Sequence, residues 1–571
     1  MFRRFTAPLA ALALASCVTV NTEEPSYDPG SSAAEGAVSA ADPRAQAAGE
    51  AMLAQGGNAT DAAIAVMLAL TVVEPQSSGI GGGGFLVRGA ADGSVATYDG
   101  RETAPAGATP DWFFAADGSL PDFRSSVASG LSVGVPGNIA LAAKAHAEHG
   151  KLQWRALFQP AIALARDGWE VNPRFRESLS ASSEFLNRSP AARALYFGSG
   201  GAPLPVGTTV RNPELAATLE RIAQGGRDAF YKGALPQTIA ATAAADTPKP
   251  GAMTSADVAG YEARDREAVC TAYRKHRVCS MGPPTSGGVA VLQMLGMLER
   301  FDLAALGVRN PETWHLFAEA QRLAYADREL YLADSDFVSV PVAGLLDPSY
   351  IAKRSALISP DASITQVVAG TPRGAKQALA DGDEPEEHGT SHIAAVDRDG
   401  TMVSYTSTIE SAFGSGLTTN GFFLNNELTD FSRSPTVDGK LVANRVEGGK
   451  RPRSSMAPTV VYDPDGTPLL SVGAAGGSTI PVQTARSIIG VIDFGLSARD
   501  AIGLPFVMAF GDSLLLEQGT WLANSADAFR ALGHTQIFIR EAPVKGGAVL
   551  RTAQGWQSAR DPRLDGKLDL P

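Results

Sequence analysis

Thr390 has the clearest chemical potential in the chain, because of what surrounds it. Residues 371–389 are polar, acidic and without periodicity, and end in His388-Gly389; from Ser391 the pattern turns abruptly to alternation with period two. A threonine hydroxyl is a weak nucleophile unless a base stands beside it. As the first residue of a chain it carries that base itself, an α-amine with an ordinary pKa of about 7.7–8 that is largely free near neutral pH. Such chemistry requires scission between Gly389 and Thr390, and an exposed linker running straight into a strand is where a cut is tolerated. Threonines at strand starts are common, so spacing alone leaves the assignment open.

Other constellations are poorer. Ser77-Ser78-Gly79-Ile80-Gly81-Gly82-Gly83-Gly84-Phe85 is Gly-rich, yet it lacks the Lys-Ser/Thr of a phosphate loop and has no ribose-binding acid, which leaves a tight backbone approach in the core. His146 and His149 are spaced i, i+3 rather than i, i+4, so no metal site is expected there. No G-x-S-x-G elbow occurs. With Arg274-Lys275 as a two-residue turn, Cys270 faces Cys279 in a non-hydrogen-bonded pair, where Cα atoms lie about 4.5 Å apart. That is near the short end of the disulfide range. Two small buried hydrophobes are the alternative, and Arg-Lys is a poor type I′ turn.

The elements that must position these groups follow from periodicity. Up to about residue 370, helical stretches alternate with short apolar strands. Ala62–Val73 reads as a buried helix capped by Asn58 or Thr60, and 313–332 as a helix with Leu316, Ala320, Leu323 and Ala324 on one face. After the linker, 391–396 and 401–408 are strands around Asp397-Arg398-Asp399-Gly400, and 457–462 and 468–473 repeat the arrangement around Asp463-Pro464-Asp465-Gly466. Helices near 481–494, 497–504 and 524–533 and strands near 536–540 and 548–551 complete a layered sheet sandwich with helices outside.

The N-terminus reads as an export signal over 1–17: Arg3 and Arg4, a short apolar stretch, then Leu14-Ala15-Ser16-Cys17, which resembles a lipobox with Cys17 as the lipidated residue. Residues 18–42, rich in Ser, Ala, Gly, Glu and Pro, read as a flexible tether. The expected address is periplasmic, with membrane contact only through the lipid. A net charge of −12 argues against a nucleic-acid partner. Three cysteines exclude a disulfide scaffold and a cysteine-built zinc fold.

Several separated motifs resemble those of one family. Thr390-Ser391-His392, Thr406-Ser407-Thr408, Phe413-Gly414-Ser415-Gly416, Asn425-Asn426-Glu427-Leu428-Thr429-Asp430, Arg453-Ser454-Ser455-Met456 and Gly473-Ala474-Ala475-Gly476-Gly477-Ser478 look like the small subunit of γ-glutamyltransferases. Asp99-Gly100-Arg101-Glu102, Pro283-Pro284-Thr285-Ser286-Gly287-Gly288 and the Gly79–Phe85 run resemble the large subunit. The resemblance implies an α+β, four-layer αββα sandwich of the N-terminal nucleophile hydrolase type. It also implies one precursor that cuts itself between Gly389 and Thr390 into a large subunit, 43–389, and a small subunit, 390–571, forming one interwoven domain.

By the same resemblance, Thr390 is nucleophile and base, Thr408 orients its hydroxyl, and Gly476 and Gly477 supply oxyanion N–H groups. Arg101 with Ser454 and Ser455 would hold a substrate α-carboxylate; Glu427 and Asp430 would hold its α-ammonium. Glu410 stands where many members carry Asn, adding an acid beside the ammonium. The segment 433–449, a covering lid in some members, is short and lacks aromatic residues, which would open the acceptor side to water. The implied substrates are glutathione and other γ-glutamyl compounds, with water, amino acids or peptides as acceptors; no cofactor and no metal are implied. Two alternatives remain: an acylase of the same fold acting on glutaryl or cephalosporin-type amides, and a non-catalytic binding lipoprotein.

Overall fold

The computed structural model describes residues 36–375, 380 and 389–566. Cys17, the expected signal, most of the expected tether and most of the expected linker lie outside the described residues. Among the described residues no helix is long and apolar enough to cross a membrane.

Two six-stranded sheets form the centre. Their strands, in chain order, are β1 (Gly36–Ala40), β2 (Gly83–Gly89), β3 (Val95–Asp99), β4 (Arg264–Arg266), β5 (Val269–Tyr273), β6 (His276–Ser280), β7 (Ser391–Asp397), β8 (Met402–Thr408), β9 (Thr459–Tyr462), β10 (Pro468–Ala475), β11 (Lys545–Thr552) and β12 (Gly555–Arg560). The first sheet runs β1-β7-β8-β2-β3-β4 and the second β12-β11-β10-β9-β6-β5, every pairing antiparallel.

Period-two alternation sorts the layers. On β7, Ile393 and Ala395 join the cluster beneath helix α1 (Ala59–Val73). Ala394 and Val396 turn the other way, into the cluster shared with Val460, Val472 and Ala474 of the second sheet. Helices α2 (Gly287–Leu298), α3 (Pro311–Tyr331) and α4 (Ile480–Ile492) pack into that second cluster. The result is the expected αββα sandwich. Every residue of α1 is buried, as an all-round apolar helix requires. Of the two expected caps, Asn58 is the one used, in a capping box with Asp61. Asn310 caps α3 through the Glu312 N–H, and the helix begins at Pro311, two residues before the expected start.

One local reading is corrected, one is borne out against local preference, and one pair of strands went unread. Residues 36–42 are not tether: β1 pairs with β7 and is buried along its length, Ser39 donates to the Ala559 carbonyl, and Asp42 caps the next helix. Small residues suit that sheet edge because the other sheet's β12 lies against it. Arg274 and Lys275 form the β5–β6 turn after all, both at positive φ (48° and 69°), with Arg274 held by Asp493 and Glu299. Cys270 and Cys279 are paired across it and joined by a disulfide, Cα–Cα 4.1 Å. Finally, 507–510 and 513–517 are strands that sequence reading passed over; with 536–540 they form a small separate sheet.

Candidate functional site

Thr390 lies at the entrance to β7, an interior strand of the first sheet beside edge strand β1, with φ +86°. A β-branched residue in that region is strained unless its surroundings fix it. They do. Its N–H donates to the Ser77 carbonyl at 2.9 Å. Its hydroxyl donates to Thr408 Oγ1 at 3.1 Å, and the Glu410 N–H donates to that same oxygen at 2.7 Å. A Cβ at Gly389 would lie 1.7 Å from the Glu410 carbonyl oxygen, so only glycine fits ahead of Thr390. The Gly-rich run 79–85 provides the floor, held by Asn138 on the Gly79 carbonyl and Asn425 on the Gly81 carbonyl.

His392, two residues on, is not the base. Burial pushes its pKa down to about 3, and its Nδ1 bonds Thr406 Oγ1 at 2.9 Å rather than the nucleophile.

From Thr408 the site continues into a cluster of buried charge. Arg101, 1% exposed, is ion-paired by Nη1 to Glu427 and by Nη2 to Asp430, the two ends of a 3-10 turn, Glu427–Asp430. Its Nε and Nη2 also donate to the Pro452 and Arg453 carbonyls at 3.2 and 2.9 Å. The expected carboxylate binder and the expected ammonium binders are therefore paired with each other. Glu410 accepts from Asn426 and Ser411 through Oε2, while its buried Oε1 has no hydrogen-bond partner. Burial, then the like charge of Asp430, pushes the Glu410 carboxyl up to about 8. Burial likewise drives Glu427 well above the ordinary range and Glu102, which faces it, up to about 8, with Arg101 pulling the other way. Four acids thus surround one guanidinium.

Ser454 and Ser455 sit on the loop that Arg101 touches. Ser455 Oγ accepts from Arg328 at 2.7 Å, and Arg328 also donates to Ser286 Oγ at 2.8 Å. Ser286 and Thr285 donate to the Ser454 carbonyl, so the Pro283–Gly288 motif clasps this loop. Arg328 was missed by sequence reading; among the other charged residues of α3, such as Glu319, Arg322, Asp327 and Glu329, nothing local marks it out. Gly476 and Gly477 have φ of 119° and 57° where β10 gives way to α4, and a Cβ at Gly476 would lie 2.5 Å from the Pro543 carbonyl oxygen. The segment 433–449 carries a small hairpin, Thr436–Val437 with Lys440–Leu441, exposed to solvent.

His315, Glu319 and His534, also unread from sequence, converge away from these residues, but their ligand atoms are engaged. His315 Nδ1 bonds His534 Nε2 at 2.8 Å, His315 Nε2 bonds the Ser359 carbonyl at 2.9 Å, and Glu319 accepts from Arg322 and the Ile364 N–H.

Over residues 45–569 the chain matches the family model described as gamma-glutamyltranspeptidase. It is 39% identical over 484 residues to the glutathione hydrolase proenzyme of Bacillus subtilis (strain 168), spanning 82% of this chain and 80% of that protein. To the glutathione hydrolase proenzyme of Escherichia coli (strain K12) it is 37% identical over 567 residues, spanning 97% and 94%. It superimposes on the crystal structure of cephalosporin acylase from Bacillus halodurans with a TM-score of 0.82 at 26% identity, over 99% of this chain and 98% of that one.

Proposed function

The chain belongs to the gamma-glutamyltranspeptidase family, and from that premise we propose that it is a γ-glutamyltransferase and glutathione hydrolase using Thr390 as an N-terminal nucleophile. In the precursor, the Thr390 hydroxyl attacks the Gly389 carbonyl, the acyl group shifts from nitrogen to oxygen, and water hydrolyses the ester. This leaves a Gly389 carboxylate and a free Thr390 amine. The strained φ of Thr390, on the order of 1–3 kcal/mol, supports this reading, because scission releases it. In turnover the amine takes the hydroxyl proton, Thr390 Oγ1 forms a γ-glutamyl ester, and the amine returns the proton to the departing amine. Gly476 and Gly477 N–H groups receive the developing oxyanion; losing one such donor costs about 3–4 kcal/mol of barrier. Water, or an amino acid or peptide, then takes the acyl group.

One observation carries the donor assignment: a single hydrogen-bonded path runs from Thr390 through Thr408 to Glu410, and thence to the Asn426–Asp430 turn paired with Arg101. A γ-glutamyl donor fits by exchange. Its α-carboxylate takes the Arg101 fork, aided by Ser454 and Ser455, and its α-ammonium takes the acids Arg101 leaves. A glutaryl amide has the chain length but no ammonium, and would leave the surplus acid uncompensated. N-terminal sequencing of the smaller fragment should therefore read Thr390-Ser391-His392, and Thr390→Ala should leave one uncut, inactive chain. Faster release from a glutaryl than from a γ-glutamyl anilide would reverse the substrate assignment.

The proposed location is periplasmic, with Cys17 lipidated; the Cys270–Cys279 disulfide supports an oxidising compartment. Cys17→Ala should release the enzyme from membranes into the soluble fraction; a variant that stays bound would remove the anchor from the account.

A further inference from the structure

Beneath the nucleophile lies a charged cluster that this mechanism leaves unused. Lys545, first residue of β11, is 15% exposed and reaches across to the first sheet. Its Nζ donates to the Thr390 carbonyl oxygen at 3.1 Å, to Ser391 Oγ at 3.2 Å and to Ser77 Oγ at 3.2 Å. It pairs with Glu74 Oε2 at 2.7 Å. Ser391 Oγ donates to that same Glu74 oxygen at 2.8 Å, while Arg174 pairs with Glu74 Oε1. The Ser77 carbonyl meanwhile holds the Thr390 N–H. The cluster therefore grips the nucleophile's backbone on both sides of its Cα.

We infer that Lys545 is a positioning residue that keeps the Thr390 α-amine, once liberated, in its free-base form. The inference rests on cleavage before Thr390. Covalent geometry puts the Thr390 nitrogen within about 7 Å of Lys545 Nζ, since a residue's own N and O atoms lie under about 4 Å apart. Two amines that close in a buried site cannot both hold a proton cheaply. Glu74 decides between them, because its carboxylate touches Lys545. Burial, then Arg174, push Lys545 down and Asp42 opposes them; the 2.7 Å ion pair with Glu74 is the contact through which Lys545, rather than the Thr390 amine, would hold the proton. Among the neighbouring charges, Arg174, paired to Glu74, adds to the effect and Asp42 opposes it at Lys545, while Glu410, which burial holds protonated up to about pH 8, adds a negative charge only above that. An electropositive setting also suits general-base catalysis, which works best with a base poised near the operating pH.

Two measurements on the purified mature enzyme test this. N-terminal sequencing comes first: with no Thr390 terminus, the proposed function has failed rather than this inference. Where that terminus is present, the pH dependence of its carbamylation by cyanate, followed by mass spectrometry, reports the amine directly. The expected pKa lies below the ordinary α-amine value of about 7.7; a value at or above it overturns the inference. The second measurement is the acid limb of kcat on a saturating γ-glutamyl anilide. Lys545→Met should move it up by about one pH unit, with Lys545→Arg restoring it. A limb that stays in place in a cleaved Lys545→Met enzyme, or that Lys545→Arg fails to restore, equally overturns it. Should Lys545→Met not be cut, the carbamylation curve of the wild-type enzyme alone decides.

Discussion

The two halves of the site are built on opposite principles. Around Thr390 nearly every polar group has its partner: the hydroxyl on Thr408, the N–H on Ser77, the carbonyl on Lys545, and Lys545 itself on Glu74. Around Arg101 there is an excess of one sign. Glu102, Glu410, Glu427 and Asp430 face a single guanidinium, and burial raises the carboxyls of the first three. A satisfied network holds one geometry, which the reacting atoms need. A charge-rich cluster is stable only in part by itself, and so is selective for a guest that completes it. Rate is stored in the first half and specificity in the second, and variants in the two halves should separate them.

The largest separation is expected from Asp430→Ala. It removes an Arg101 partner and one acid of the ammonium site without touching Thr390, Thr408 or Gly389. Cleavage should proceed as in the wild type, while kcat/KM on γ-glutamyl substrates falls at least about tenfold, about 1.4 kcal/mol, and up to the roughly 2–5 kcal/mol typical of breaking a desolvated charge pair. Turnover of a glutaryl anilide should fall far less. Equal losses on both substrates would mean that the two halves are not separable at this residue.

How much of this was legible in the sequence follows the same division. Thr390, Thr408, Arg101, Glu427 and Asp430 sit in short motifs, and a hairpin with an Asp-Gly turn announced β7 and β8. The two glycines after β10 were readable for the same reason. What escaped were partners supplied from afar: Lys545 and Glu74 meet across 471 positions, and Arg328 reaches Ser455 across 127. No local period encodes such pairings, since they arise only when the two sheets stack. The misreading of 36–42 has a similar cause. Gly36-Ala37-Val38-Ser39-Ala40 is compositionally a linker, and becomes a strand only because β7 offers it an edge and β12 covers it. The Arg274-Lys275 turn also defied local preference, its left-handed φ values being tolerated because Asp493 and Glu299 hold Arg274.

A smaller effect should appear in pH dependence. With Glu410 protonated in the empty site at neutral pH, a substrate ammonium must displace a proton as it binds. KM for a γ-glutamyl donor should therefore fall several-fold from about pH 6.5 to about 8.5, as Glu410 ionises. For a glutaryl donor KM should stay flat or rise, because ionised acid then faces no cation. A donor-independent profile would assign the acids to the fold rather than to the ligand.

The finest test concerns stability in the recognition half. Glu410 has its folded pKa raised from 4.5 to about 8, so between those values the native state keeps a proton that the unfolded chain has lost. Stability then falls as pH rises through this window, because the native state binds more protons. Glu410→Gln keeps the size and an acceptor for Asn426 and Ser411 but removes the ionisation. At pH 5 the variant should melt close to the wild type; by pH 8 it should be the more stable by about 1–3 kcal/mol, less than the isolated shift implies because Glu427 and Glu102 titrate with it. Saturating γ-glutamyl ligand should narrow the gap, since an ammonium beside Glu410 compensates its charge in the wild type alone. A gap that does not change with pH would show that Glu410 is ionised throughout and already compensated from within the site, and the contrast between a self-satisfied nucleophile and an unsatisfied recognition cluster would lose its sharpest instance.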